Sequence, residues 1–186
     1  TLEDLAAADR HSGCSLYGVG FLMGCDIHFY VEKKVDGKWV TADTWYDDKY
    51  SPGQKSIYPE DFMDRTKGPI YSDRNYDLFG ILANVRNGSG FAGVDTGNGF
   101  VPIHELRGIP EDCCEEIRKS AEQWDADGHS HSWATVQELM EYDWTRTTKK
   151  RGWVSPKEFG RFVLQGRPSS WSVMVSGGGI EHISNE

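Results

Sequence analysis

Hydrophobic and polar residues alternate from residue 26 onward. Ile27, Phe29 and Val31 fall on one side of an extended chain and Asp26, His28, Tyr30 and Glu32 on the other. The alternation predicts a half-buried strand. Asp36-Gly37 is a two-residue turn signal, and "KWVTA" (38–42) returns as the antiparallel partner. A two-residue loop sets Val35 opposite Lys38, Val31 opposite Ala42 and His28 near Trp45, so aromatic residues wall the side that carries Asp26 and His28. Residues 43–72 mix Asp, Pro, Gly, Ser and Tyr without periodicity, which predicts a long irregular loop of the kind that serves as a lid.

Helical spacing begins with Leu78, Phe79, Leu82 and Val85, with Asp73 or Asn75 as N-cap and Asn87-Gly88 as the stop. Glycines then interrupt the chain as far as Gly108, a stretch that reads as loop and short strand. Pro110, Glu111 and Asp112 open a second helix whose apolar stripe is Cys114, Ile117, Ala121 and Trp124. "DADGHSHSWA" interrupts, and Thr135 with Glu138 forms a capping box for a third helix running through Leu139 to Trp144. Ser155, Pro156 and Glu158 repeat the device for a fourth, with Val154 and Phe159 as a hydrophobic staple and Gly166 as the stop. "SSWSVMVSGGGIEHI" closes as a strand interrupted by glycine. The sum predicts an α+β fold, a small antiparallel sheet with an N-terminal hairpin packed against about four helices and joined by long irregular loops.

Length and composition narrow this picture. A chain of 186 residues suits one domain, expected to span 23–186 from Met23, with 1–22 as a flexible N-terminal extension. "LYGVGFLMGC" ends like a lipoprotein signal, but "TLEDLAAADR" is acidic where such a leader is positive. No run approaches the roughly 20 apolar residues of a membrane span, so no membrane partner is expected. The net charge of -9 opposes a phosphate backbone, which makes a nucleic acid polymer an unexpected partner. The basic run Arg146, Lys149, Lys150 and Arg151 reads as a solvated turn. The four cysteines lack zinc-ribbon spacing, and the neighbours Cys113 and Cys114 bridge only through a strained ring, so reduced thiols and an intracellular setting are expected.

Two i, i+2 pairs carry the candidate chemistry: Asp26 with His28, and His129 with His131 in "DGHSHS", where an extended backbone points both imidazoles the same way. Together they offer the nitrogen and oxygen ligands that zinc, manganese or iron takes, and Ser130, Ser132, Asp125 and Asp127 are at hand to orient them. Cys25 alternates to the opposite side and reads as a packed thiol. The same histidines also read as structural residues that cap backbone groups, or as a metal-free polar pocket. Arg74, Asn75, Asp77 and Arg86 form a second constellation. Arg74 or Arg86 can clamp a phosphate or carboxylate, or Arg74 can pair with Asp77 one turn on. With no G-x-S-x-G elbow and no Walker loop, covalent nucleophilic catalysis is not expected.

The resulting expectation is a divalent metal held by Asp26, His28, His129 and His131, with Asp26, Arg74 and Arg86 as catalytic residues of a metal-dependent hydrolase. Its substrate would be a nucleotide or phosphoester, and its partner therefore a small anionic ligand. The competing expectation is a non-enzymatic protein that binds another protein through its seven Trp and eight Tyr, or sequesters a small ligand.

Asp26, His28, Gly128, His129 and His131 are similar to the first and last motifs of calcineurin-like metallophosphoesterases, but the Gly-Asp and Gly-Asn-His motifs of that family have no counterpart here. Over most of the chain from Met23, "MGCDIH", "RNYDLF", "VRNG", "RGIPED" and "DGHSHSW" resemble a family of small bacteriophage and prophage proteins. That resemblance implies a phage setting and a role in the host cytoplasm during infection. It implies no particular chemistry.

Overall fold

A computed structural model describes residues 4–11, 26–59, 68–90, 93–124, 128–172 and 181–185. The chain divides into two compact units, the first made of Thr1–Asn75 and Ile103–Tyr142, the second of Tyr76–Pro102 and Asp143–Glu186. The fold is α+β, with four helices and small antiparallel sheets among the described residues.

In the first unit, β2 (Asp26–Val35) and β3 (Lys38–Thr41) form the expected hairpin. Asp36 and Gly37 take φ 50° and 78°, the positive values a two-residue turn needs to match strand twist. Val35 pairs with Lys38 and Glu32 with Thr41, and the Ala42 N–H donates to Val31 O at 2.7 Å. The other two strands are β1 (Asp4–His11) and β6 (Gly128–Thr135), in the order β3-β2-β1-β6. Residues 4–11, expected within the N-terminal extension, thus lie between β2 and β6. Most of "DGHSHSWA", expected as an interruption, is a strand. Neither segment announces itself, because each acquires its hydrogen bonds only from a partner distant in sequence.

The side of β2 that carries Asp26 and His28 is covered by α2 (Glu115–Trp124). Three contacts run along the strand in order. Glu32 Oε1 accepts the Cys114 N–H at 2.6 Å, the Tyr30 hydroxyl bonds Ser120 Oγ at 2.7 Å, and the His28 ring lies 5.5 Å from the Trp124 ring. The helix therefore runs antiparallel to β2. Tyr30, Cys113, Cys114, Ile117 and Ile57 form the core, with Trp45, Tyr58 and Ile109 packed on it. The helix starts at Glu115 rather than Pro110; the Cys113 N–H closes a turn on Pro110 O instead. The cause is tertiary, since the Glu32 carboxylate accepts the Cys114 N–H and fixes where helical pairing begins.

The aperiodic stretch after β3 is anchored. It contains the short pair β4 (Tyr46–Asp47) and β5 (Lys55–Ser56), and Ile57 is buried. The buried Asp43 accepts the Val31 N–H at 2.8 Å with one oxygen and the Ile70 N–H at 3.0 Å with the other. After β6, Thr135 and Glu138 form the expected capping box on α3 (Val136–Glu141), which ends before Trp144.

In the second unit, α1 (Tyr76–Ala83) is buried from Phe79 to Ala83. It ends at Asn84, in the left-handed region at φ 53°, three residues before the expected Asn87-Gly88 stop. The strands β7 (Lys150–Val154) and β8 (Glu181–Asn185) pair antiparallel. The basic run is consequently not a solvated turn throughout: Lys150 and Arg151 begin β7, Lys150 pairs with Asp77, and Arg151 pairs with Asp95. Ser155 caps α4 (Pro156–Gln165) and Gly166 stops it at φ 71°. The Glu158 carboxylate does not return to Ser155 but accepts the Ser169 N–H at 2.8 Å and its hydroxyl at 2.9 Å. No helix among the described residues is long and apolar enough to cross a membrane.

Candidate functional site

The candidate residues of the first unit gather at the end of the sheet where β2 begins. Asp26, the first residue of β2, pairs through Oδ1 with Arg74 Nη2, and both side chains are more than half exposed. The Tyr58 hydroxyl stands beside this pair. Its pKa is raised above the ordinary 10.0 mainly by burial and then by the Asp26 carboxylate, while Arg74 pulls it down. Two residues along the same side of the strand, His28 packs on Trp124.

His131 comes to the same region from β6. Trp133 pairs with Ala7 and Ala7 with Tyr30, so β6 residues of the Trp133 parity share the side of the sheet covered by α2. Gly128 marks the convergence. A methyl group there would lie 3.2 Å from Trp124 Cβ and 3.3 Å from His131 Cε1. The Nε2 atoms of His28 and His131 are both buried. Because β1 separates their strands, the two backbones are about 10 Å apart, a span that two imidazoles can close from either side.

The premise that His129 and His131 sit on one extended backbone does not hold. Ser130 takes φ 61°, and the β1–β6 register shifts between Ala8 and Arg10, leaving Arg10 opposite His129 and His11 opposite Gly128. This is a bulge in the backbone of β6. The His129 side chain, Asp125, Asp127 and Cys25 lie outside the described residues. Among those described, no three His, Cys, Asp or Glu side chains form a group able to hold a metal ion. One position was hidden from sequence reasoning: Asp9 of β1 is the direct register partner of His28.

Arg74 and Arg86 do not share a unit. The division falls between Asn75 and Tyr76, inside "RNYDLF". Arg86 stacks over Tyr76 in the second unit, with 5.6 Å between its guanidinium carbon and the ring centroid. Arg74 pairs with Asp26 within the first unit, and Asp77 with Lys150 within the second.

Other polar groups are committed to the fold. Glu32 is fully buried. Beside it, burial pushes the Cys114 thiol up to about 12, and the Glu32 carboxylate adds to the shift. Cys113 is raised chiefly by burial too, so both thiols stay protonated and make poor metal ligands. Arg107 donates to both oxygens of Glu138, at 3.0 and 2.6 Å, and covers the Trp133 ring at 4.6 Å. That fork is the main reason the Glu138 carboxyl falls to about 2.

No protein-family model matches the chain, and neither a curated protein nor a solved structure matches it.

Proposed function

We propose that the first unit binds a small anionic ester, a nucleotide or other phosphoester, at the open end of β2, and hydrolyses it with a divalent metal held by histidines of the β2 and β6 motifs. One observation carries this reading: His28, packed on Trp124 two residues along the strand from the Asp26–Arg74 pair, and His131, from a motif far apart in sequence, approach the same place, since Trp124 and His131 both border Gly128. Zinc, manganese or iron suits the imidazole donors, and a bound ion would acidify a water towards neutral pH. Arg74 is the anion clamp in this scheme. Asp26 holds one guanidinium nitrogen, and the Arg74 side chain, more than half exposed, is open to a phosphate. The role of Asp26 thereby shifts from ligand to orienting residue. Arg86, in the other unit, is given no part.

Turnover of a panel of nucleotides and phosphoesters with added zinc, manganese or iron tests the reading. Arg74→Ala is expected to raise KM about tenfold for loss of a charge-assisted contact, and His131→Ala to abolish metal-dependent turnover. A folded His131→Ala protein with unchanged turnover would overturn it.

A second reading rests on the engagement of Asp26 by Arg74 together with the absence of a three-ligand group among the described residues. Under it the same face sequesters an anionic ligand, or docks on a host protein in the cytoplasm during infection, without chemistry. Nucleotide binding that is independent of metal and free of turnover would favour it over the first.

A further inference from the structure

The second unit contains two Asn-Gly pairs that meet each other. Asn87 Oδ1 accepts the Phe100 N–H at 2.5 Å, while Asn87 Nδ2 donates to Phe100 O at 2.8 Å and to Asn84 Oδ1 at 3.0 Å. Its amide thus pairs with the Phe100 backbone as a strand neighbour would. Gly99 packs against it so closely that a Cβ there would lie 2.7 Å from Asn87 Oδ1. Asn98 is held differently. It is exposed, its Oδ1 accepts from Arg151 Nη2 at 2.5 Å, and its Nδ2 makes no hydrogen bond among the described residues. Arg151 itself is anchored on both oxygens of Asp95, at 3.1 and 3.2 Å.

An Asn-Gly pair can react with itself. The glycine nitrogen attacks the asparagine Cγ, its proton passes through solvent to the departing amide nitrogen, and ammonia leaves. The five-membered succinimide is then opened by water at either carbonyl, giving aspartate or isoaspartate. The reaction needs an accessible nucleophile, an amide nitrogen free to leave and stabilisation of the oxyanion that forms on Oδ1. Gly99 has no Cβ, its nitrogen faces the equally bare Gly88, where a Cβ would come within 3.0 Å of it, and its N–H donates to no acceptor among the described residues. The Arg151 guanidinium already sits on the oxygen that becomes the oxyanion. Asn87 fails the second requirement, since its leaving nitrogen carries two hydrogen bonds.

We infer that Asn98-Gly99 is a site of spontaneous deamidation, activated by Arg151, and that Asn87-Gly88 is protected by its clamp on Phe100. The product at residue 98 is a carboxylate beside Arg151, or an isoaspartyl link with one more backbone atom between residues 98 and 99. The isoaspartyl link falls one residue from the Asn98 N–H that donates to Lys149 O at 2.8 Å, so it also strains the pairing of this loop with the start of β7.

The test is peptide mapping by mass spectrometry after incubating the intact protein at mildly alkaline pH, with isoaspartate and released ammonia measured in parallel. A one-dalton gain is expected at Asn98, about tenfold faster than at Asn87. In denaturant the two sites should react at similar rates, because both clamps are gone. Arg151→Lys, which keeps the charge and loses the fork, is expected to slow Asn98 about tenfold without changing Asn87. Equal rates at the two sites in the native protein would overturn the proposal, as would faster reaction at Asn98 in the Arg151→Lys protein.

Discussion

The row Glu32–Leu5–Thr135 and the row Asp26–His11–Gly128 cross the four-stranded sheet near its two ends, and polar side chains serve differently at each. At the first end Glu32 caps α2 through Cys114, and Glu138, three residues past Thr135, caps α3 and receives Arg107. Both acids are committed to the fold. At the second end Asp26 and Arg74 pair in the open, next to His28 and its neighbour Trp124. Two carboxylates on one side of one strand, Asp26 and Glu32, thus have opposite environments. Residue alternation assigns a side of a strand; depth along it is decided by what the rest of the chain lays on top.

The buried end is the more sensitive of the two to substitution. Glu32→Ala removes the cap of α2 and leaves a hole in the core, and is expected to cost about 2 to 4 kcal/mol in urea unfolding. Glu32→Gln keeps shape and an acceptor oxygen and should cost less. Equal and small losses for both would mean that the cap does not hold the helix. Glu138→Gln comes next, at about 1 to 2 kcal/mol near neutral pH for a lost cap and fork. Its pH dependence has a definite sign. The folded carboxyl titrates at about 2 against an ordinary 4.5, so its stabilisation is complete above 4.5 and disappears as pH falls towards 2. The stability gap between native and Glu138→Gln proteins should therefore close over that window, and a gap constant from pH 7 to 2 would refute the assignment. At the open end, Asp26→Ala should change stability by less than about 1 kcal/mol, as exposed ion pairs do. The same variant should weaken anion binding, because Arg74 loses the partner that orients it. A large stability loss there would move Asp26 into the structural class of Glu32.

What the sequence made legible was local. The Asp36-Gly37 turn and its register, the Thr135–Glu138 box, the Ser155 and Gly166 caps and the Cys114–Ile117–Trp124 stripe all rest on residues within a few positions of one another. What escaped depends on distant partners. Strand β1 exists through β2 and β6, the start of α2 is fixed by Glu32, and Lys150 and Arg151 enter a strand because β8 and two aspartates receive them. The candidate site divides in the same way. The pairing of Asp26 with His28 on one side of β2 follows from period two, and the aromatic wall near His28 is present as Trp124 rather than Trp45. The Ser130 bulge could not be foreseen, since a serine at positive φ leaves no mark in composition. Nor does helical spacing reveal that Arg74 turns to Asp26 while Asp77 goes to Lys150.

In the proposed reading His28 and His131 serve one metal. Zinc, manganese and iron should be measured by elemental analysis in the purified protein after exchange into chelator-free buffer, beside folded His28→Ala and His131→Ala variants. The account predicts near-stoichiometric metal in the native protein and its loss in both variants. A native protein that stays metal-free after titration, or metal retained in either variant, would contradict it.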